Sequence, residues 1–289
     1  MTISNGIMTS EDKEQLRTAT EEVRFISRLG VFKCTNGIRP GEFSVLVGGS
    51  GNGKSTLCKT ISIECAIGGT KCYHLLSEEK TSVYKGTISE AMESATKGSA
   101  DKYLEKLLFE SMLDWGHDKT NINYFFSRLE QVINDHMPEM IIFDNFTTSF
   151  LGDMPINKQG EAIEKLRKIA AFYDIALVGV FHTAKGSDLY TKILDGDSVR
   201  GNASSTNKGG YNYILSTFFR LKKPRAVLFL HKARYHKKFT QTYWELEFDS
   251  ILGIYTHAKQ IDYETVKDIM DEANLKKKTP KKEYSSWSR

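Results

Sequence analysis

Long apolar runs are absent from this sequence. A membrane span needs about 20 consecutive apolar residues, and no uninterrupted run approaches that length. Residues 1–14 are polar and acidic, so they lack the hydrophobic region of a signal peptide. We therefore expect a cytoplasmic protein with no membrane partner. Internal repeats are absent too, and no low-complexity stretch precedes the C-terminal tail.

Cysteine is scarce, because the chain has only 4 and none of them forms a close pair. Cys58 and Cys65 are separated by two helical turns, which places them on one face of a predicted helix. The alternatives are reduced thiols in the core of a cytosolic protein and a metal site. The spacing of Cys34, Cys58, Cys65 and Cys72 favours the core thiols.

The charge of the chain is nearly balanced, at a net +4, but it is unevenly distributed. Residues 220–238 are rich in Lys and Arg, and residues 276–282 contain five lysines. A basic tail can contact nucleic acid, and it can equally be a solvated end. A length of 289 residues with 40% hydrophobic composition is sufficient for a sizeable core.

Predicted strands alternate with predicted helices along most of the chain. That alternation favours an α/β fold with a mainly parallel central sheet flanked by helices. We predict an N-terminal arm over residues 1–29, a core over 30–260, and a C-terminal helix with a basic tail over 261–289. The predicted strands are residues 43–47, 71–76, 140–143, 176–181, 213–221 and 227–231, and the predicted helices are 56–66, 82–113, 129–135 and 159–173.

The segment GGSGNGKS at residues 48–55 fits the phosphate-binding pattern G-x-x-x-x-G-K-[ST]. A predicted strand precedes it and a predicted helix follows it, which is the context that this motif requires. Its backbone N–H groups and the helix N-terminus would face a polyphosphate. Lys54 would reach the β- and γ-phosphates of ATP, and Ser55 would hold Mg²⁺. The predicted nucleotide-binding residues are Gly48, Ser50, Gly51, Asn52, Gly53, Lys54, Ser55 and Thr56.

Carboxylates follow two of the predicted strands. Asp144 ends the strand at 140–143, where ligands lie in open α/β sheets, so it is a candidate to support Mg²⁺. Glu78 and Glu79 follow the strand at 71–76 and are candidates to orient the attacking water, with Glu78 favoured. The alternatives are an Asp in a turn and two surface acids at the start of a helix.

Two further segments carry candidate residues. His182 follows the strand at 176–181, where it would sense the γ-phosphate or be merely hydrogen-bonded. Lys232 and Arg234 lie two residues apart on a strand and point the same way. They would complete a neighbouring subunit's active site as an arginine finger does, or form a solvated basic edge.

Residues 186–210 form the longest stretch without apolar periodicity. A loop of this length is usually functional or disordered, and its basic and polar composition suits a nucleic-acid backbone. The candidate DNA-binding residues in and beside it are Lys185, Lys192, Arg200, Asn202 and Lys208.

Together these motifs resemble the RecA-like ATPases, and most closely the DnaB/RepA-type hexameric replicative helicases. The segments that carry the resemblance, in the family's order, are NGIRPGE at 36–42, LLSEE at 75–79, IIFDN at 141–145, FHTAK at 181–185, DSVRGNA at 197–203 and KAR at 232–234. The resemblance implies a ring, usually of six subunits, with nucleotide between neighbours and single-stranded DNA in the channel. It further implies Lys232 and Arg234 acting in trans, His182 as a sensor, ATP with Mg²⁺, and a replication initiator or primase as partner.

The function that the sequence favours is therefore an ATP-driven hexameric DNA helicase. A regulatory or recombination-mediator ATPase, which assembles on nucleotide without unwinding DNA, is the first alternative. A scaffold that loads a different helicase is the second, and it would have no need of Glu78 or Arg234.

Overall fold

The computed structural model describes residues 38–115, 121–146, 154–183, 210–219, 221–233 and 242–278. Within these ranges the strands form one sheet, and the predicted fold class is confirmed. The strands are β1 (Phe43–Gly48), β2 (Cys72–Leu76), β3 (Leu107–Ser111), β4 (Met140–Asp144), β5 (Ala176–His182), β6 (Tyr211–Phe218), β7 (Arg225–Ala233), β8 (Thr242–Asp249) and β9 (Ile254–Ile261).

Helices connect strands β1 to β5 and cover both faces of the sheet. They are α1 (Lys54–Ile67), α2 (Thr81–Thr96), α3 (Asp101–Leu104), α4 (Ile122–His136), α5 (Ile156–Tyr173) and α6 (Tyr263–Lys278), with a 3₁₀ turn at Met112–Asp114. None of the helices in the described ranges is long and apolar enough to span a bilayer.

The strand order is β3-β2-β4-β5-β1-β6-β7-β8-β9. The first six strands in this order are parallel, and β7, β8 and β9 extend the sheet in antiparallel fashion. Strands β1, β2 and β4 are buried along their whole length. Their sequences are continuous apolar runs because parallel strands with helices on both faces meet no water.

The core has one layer on each side of the sheet. Ile61 of α1 and Ile88 of α2 belong to the first layer, and Phe125 of α4, Leu166 of α5 and Val266 of α6 belong to the second. Each of these side chains is at most 2% exposed. Cys58, Cys65 and Cys72 are buried free thiols of the first layer, and Cys34 lies outside the described residues.

The prediction of one helical stretch over 82–113 was wrong in its second half. Helix α2 ends at Thr96, because Lys97 and Gly98 both take left-handed backbone angles and the Gly98 N–H bonds the Glu93 carbonyl at 3.0 Å. The chain then forms α3 and the edge strand β3.

Strands β8 and β9 were not predicted, although β8 carries a signal. Trp244, Leu246 and Phe248 alternate with Glu245 and Glu247, which is the period-2 pattern of a half-buried antiparallel strand. Strand β8 pairs with β7 and strand β9 pairs with β8, and helix α1 packs against β9. The predicted helix that follows them is present as α6.

A buried histidine lies between β2 and α2. His74 is 0% exposed, and its Nδ1 lies 2.6 Å from the Tyr84 hydroxyl and 3.0 Å from the Ser62 hydroxyl. Within the described part of the chain its Nε2 has no hydrogen-bond partner. Burial therefore lowers the pKa of His74 to about 3 from its ordinary 6.5, with a smaller contribution from Lys59.

This histidine predicts acid sensitivity. Below pH 6.5 the unfolded chain binds a proton that folded His74 refuses, so stability falls by up to about 1.4 kcal/mol per pH unit toward pH 3. Urea unfolding of wild type and H74L at several pH values measures this slope. We expect the slope of the free energy of unfolding against pH to be smaller in H74L than in wild type by the contribution of one proton. The exposed His136→Leu change controls for the loss of a histidine elsewhere on the chain. Equal slopes for H74L and wild type would contradict the assignment.

Candidate nucleotide-binding site

The phosphate loop leaves β1 at Gly48 and enters α1 at Lys54. Gly51 and Gly53 take positive φ angles of 76° and 81°, which glycine adopts without strain. A side chain at Gly48 would meet the Leu215 carbonyl oxygen at 2.7 Å, so the loop can pass β6 only as glycine. The glycines that the motif requires therefore stand where the backbone needs them.

Gly53 also lies against Tyr255 of β9. A Cβ atom at this position would overlap the Tyr255 hydroxyl. Strand β9 is fixed to α1 by a 3.0 Å bond from the Tyr255 N–H to the Thr60 hydroxyl. The start of α1 is therefore packed against a strand that the sequence did not predict.

Lys54 is buried at the base of this loop, 5% exposed. Its Nζ donates to the Gly49 carbonyl at 2.7 Å and lies 3.2 Å from His182 Nδ1. Burial lowers the pKa of Lys54 to about 8, against the opposing effect of Asp144 and Glu78. A phosphate would supply the negative charge that this desolvated ammonium needs.

Asp144 and Ser55 face each other at the end of β4. Ser55 donates a hydrogen bond to the Asp144 carboxylate, and burial raises the pKa of Asp144 to about 6 despite this bond and the nearby Lys54. A hydroxyl and a carboxylate beside a phosphate loop are the hard oxygen ligands that Mg²⁺ takes. The residues present therefore fit the predicted metal.

Glu78 and His182 meet through a residue that the prediction passed over, Asn145. The Asn145 Nδ2 donates to Glu78 Oε1 at 2.9 Å and lies 2.6 Å from His182 Nε2. His182 Nε2 is 3.6 Å from the same Glu78 oxygen. With Lys54 on its other nitrogen, His182 joins the phosphate loop to the carboxylate proposed to orient water.

Glu79 lies close enough to Asp144 to raise its pKa, as Glu78 does. The hydrogen bonds given above place the Glu78 carboxylate, rather than that of Glu79, against Asn145. Of the two candidate carboxylates, that of Glu78 is therefore the one in contact with Asn145.

A cavity of about 770 Å³ opens beside the phosphate loop, a volume in the range of small-ligand sites. One wall is the loop and the start of α1, and the other is the antiparallel part of the sheet. An ion pair between Arg225 and Glu245 lies in that second wall. Residues lining the cavity include Gly51, Asn52, Gly53 and Thr56 on one side and Tyr255, His257 and Lys259 on the other.

The remaining predicted site residues lie elsewhere or outside the described ranges. Lys232 is half-buried near the end of β7 and pairs with Asn212 at the start of β6. Because β7 runs antiparallel to β6, Lys232 lies toward the edge of the sheet opposite to its own phosphate loop. The predicted residues Arg234, Lys185, Lys192, Arg200, Asn202 and Lys208 lie outside the described residues.

Asn145 and Tyr255 are the candidate site residues that sequence reasoning missed. Asn145 had a signal, because it is a polar residue directly after a buried strand of the motif. Tyr255 had none without β8 and β9, since only their pairing brings it to the loop.

Residues 33–188, just over half of the chain, match the family model described as an AAA domain. The chain belongs to this AAA-domain family. A search of curated proteins finds no match to this chain.

Two solved structures resemble this AAA-domain protein in fold. A KaiC-like protein from the archaeon Pyrococcus horikoshii is 14% identical, with a TM-score of 0.60 over 83% of this chain and 100% of that one. The ATPase domain of G40P is 11% identical, with a TM-score of 0.66 over 86% and 96%. Identities this low bear on the fold, which is that of RecA-like P-loop ATPase domains.

The contact between Gly53 and Tyr255 gives a test of the loop geometry. We expect G51A to show only backbone strain, roughly 1–2 kcal/mol, since nothing lies within 4 Å of its added Cβ. G53A adds the overlap with Tyr255, so it should unfold at a lower temperature and bind a fluorescent ATP analogue more weakly than G51A. In a Y255F background the difference should shrink. A difference that Y255F leaves unchanged would argue against this contact.

Proposed function

We propose that this protein hydrolyses ATP and works as a hexameric ring helicase or translocase on single-stranded DNA in replication. The observation that supports the ATPase step is the convergence of Lys54, of Ser55 with Asp144, and of Glu78 at one edge of the sheet. Each of these groups has a role in phosphoryl transfer that matches its chemistry.

In this proposal the phosphates of ATP displace Lys54 from the Gly49 carbonyl and take its ammonium as their counter-charge. Ser55 and Asp144 would hold Mg²⁺, which when bound would neutralise charge on the phosphates. The base and ribose enter the cavity between α1 and β7–β9, next to Tyr255. Burial of Lys54 and Asp144 means that little reorganisation is needed at the moment of reaction.

Glu78 then orients the attacking water and accepts its proton. A carboxylate within one water of the γ-phosphate suits this role. The charge that develops on the phosphoryl group needs a further cation, which we assign to Lys232 and Arg234 of a neighbouring subunit. The position of Lys232 toward the opposite edge of the sheet supports action in trans.

The proposed DNA-binding segment, residues 186–210, connects β5 to β6, the two strands that flank β1. It leaves the sheet next to His182, which contacts Lys54. A change at the phosphates would therefore reach His182, which lies four residues before the proposed DNA-binding segment in the sequence. A replication initiator or primase is the partner that the proposed role implies.

The second candidate is a regulatory ATPase that assembles on nucleotide and unwinds nothing. The likeness to the KaiC-like protein and to the ATPase domain of G40P supports the RecA-like ATPase fold, which both candidates share. The two candidates differ in their response to DNA, which turnover measurements separate.

Single-stranded DNA should stimulate ATP hydrolysis by the purified protein. The titration is made at one fixed salt concentration, because the electrostatic part of binding depends on salt. K54A should abolish turnover with and without DNA, since it removes the phosphate counter-charge. Turnover that is indifferent to DNA would favour the regulatory ATPase, and normal hydrolysis by K54A would remove the whole scheme.

Arg234 gives a test of action between subunits. R234A should lose turnover, by roughly 10³-fold or more as for other arginine fingers, while it still binds a fluorescent ATP analogue as wild type does. Small amounts of R234A mixed into wild-type protein should lower turnover more than dilution does if the sites of a ring act in turn, because one silent site then stops the others. Full activity of R234A alone would contradict the finger assignment, and a purely proportional loss on mixing would mean that the sites act independently.

A further inference from the structure

Hydrogen bonds of the backbone hold Asn145 in place, independently of the contacts that its side chain makes with the candidate catalytic groups. Asn145 is only 3% exposed, and its backbone N–H donates to the Ser77 hydroxyl at 2.8 Å. The Ser77 N–H in turn donates to the Asp144 carbonyl at 2.7 Å. These two bonds join the ends of β2 and β4, so the backbone that carries the Asn145 side chain is fixed in position.

The amide has two hydrogens on one nitrogen, and the structure offers a partner for each. One partner is Glu78 Oε1 at 2.9 Å, and the other is His182 Nε2 at 2.6 Å. Both bonds form at once only when Nε2 is the unprotonated ring nitrogen. The imidazole proton is then on Nδ1, which faces Lys54.

That tautomer conflicts with a charged Lys54 beside it. An ammonium group has hydrogens to donate and no acceptor, so a charged Lys54 at 3.2 Å requires Nδ1 to be unprotonated. The conflict ends when Lys54 moves away to a phosphate. Occupation of the phosphate loop is therefore what lets Asn145 donate to His182 and Glu78 together.

We propose that Asn145 is a positioning residue that orients Glu78, and that its two hydrogen bonds form together when Lys54 leaves His182 for a phosphate. The inference rests on the proposed ATP hydrolysis and on the role of Glu78 in it. The Glu78 side chain is 58% exposed, so without Asn145 it has several rotamers available in water. The charged groups near it in the described part of the chain include Lys54 and Asp144.

The test compares N145A and N145D with wild type in single-turnover ATP hydrolysis, with nucleotide affinity measured separately. N145D keeps the shape of the side chain and replaces the donor by an acceptor. Both variants should lose roughly 10- to 100-fold in the hydrolysis step, as expected for a misplaced catalytic group. Nucleotide affinity should fall by less than the hydrolysis rate does, because the phosphate loop holds the nucleotide and Asn145 contributes only the hydrogen bonds that form with it.

A double-mutant cycle separates positioning from a structural role. If Asn145 acts through Glu78, N145A should slow the E78Q enzyme by less than about twofold, because the two losses are not additive. N121A is the matched control: Asn121 caps α4 by accepting from the Tyr124 N–H at 2.9 Å, so its loss lowers stability without touching the site. N121A should hydrolyse ATP as wild type does.

The outcomes distinguish this inference from the function on which it rests. Wild-type rates in N145A, or losses in N145A and E78Q that multiply, overturn the role of Asn145 and leave the ATPase intact. Hydrolysis without DNA stimulation overturns the helicase while the Asn145 result stands. A wild-type protein that does not hydrolyse ATP overturns both.

Discussion

The site depends on two opposite charges held out of water at the same edge of one sheet. Lys54 and Asp144 are each less than a tenth exposed. Burial lowers the pKa of Lys54 and raises the pKa of Asp144, and both shifts favour the neutral form of the side chain. Their mutual attraction and the bonds to Gly49 and Ser55 offset only part of that cost. In the proposed ATPase, a nucleotide with its metal would supply the missing charges, so the same burial that weakens the site would strengthen the binding of a polyphosphate.

Strand register is what brings these groups together. Gly48 pairs with His182 across β1 and β5, and Leu76 pairs with Asp144 across β2 and β4. The last residues of parallel strands therefore end level, and the side chains that follow them meet at one edge. The buried apolar runs fix that register, since a slip by one residue would turn every side chain to the other face.

Much of this arrangement was predictable from the sequence, because each group follows a continuous apolar strand. The phosphate loop, Asp144, Glu78 and His182 were found in this way. The contact between Asn145 and Glu78 was not predictable, since it depends on side-chain orientation across two strands. Tyr255 was missed because β8 and β9 are antiparallel and half-buried, so their shorter-period pattern was not recognised as part of an otherwise parallel sheet.

The antiparallel strands connect the two ends of the proposed mechanism. At one end of β7, Arg225 lines the cavity beside the phosphate loop, and toward the other end Lys232 approaches the opposite edge of the sheet. A strand of nine residues extends about 30 Å, and it is rigid because β6 and β8 flank it. In the proposed ring, a shift of β7 caused by nucleotide in one subunit's cavity would therefore move the cations offered to the next subunit. That coupling would need no flexible segment, because Arg225 beside the cavity and Lys232 toward the opposite edge belong to the same paired strand.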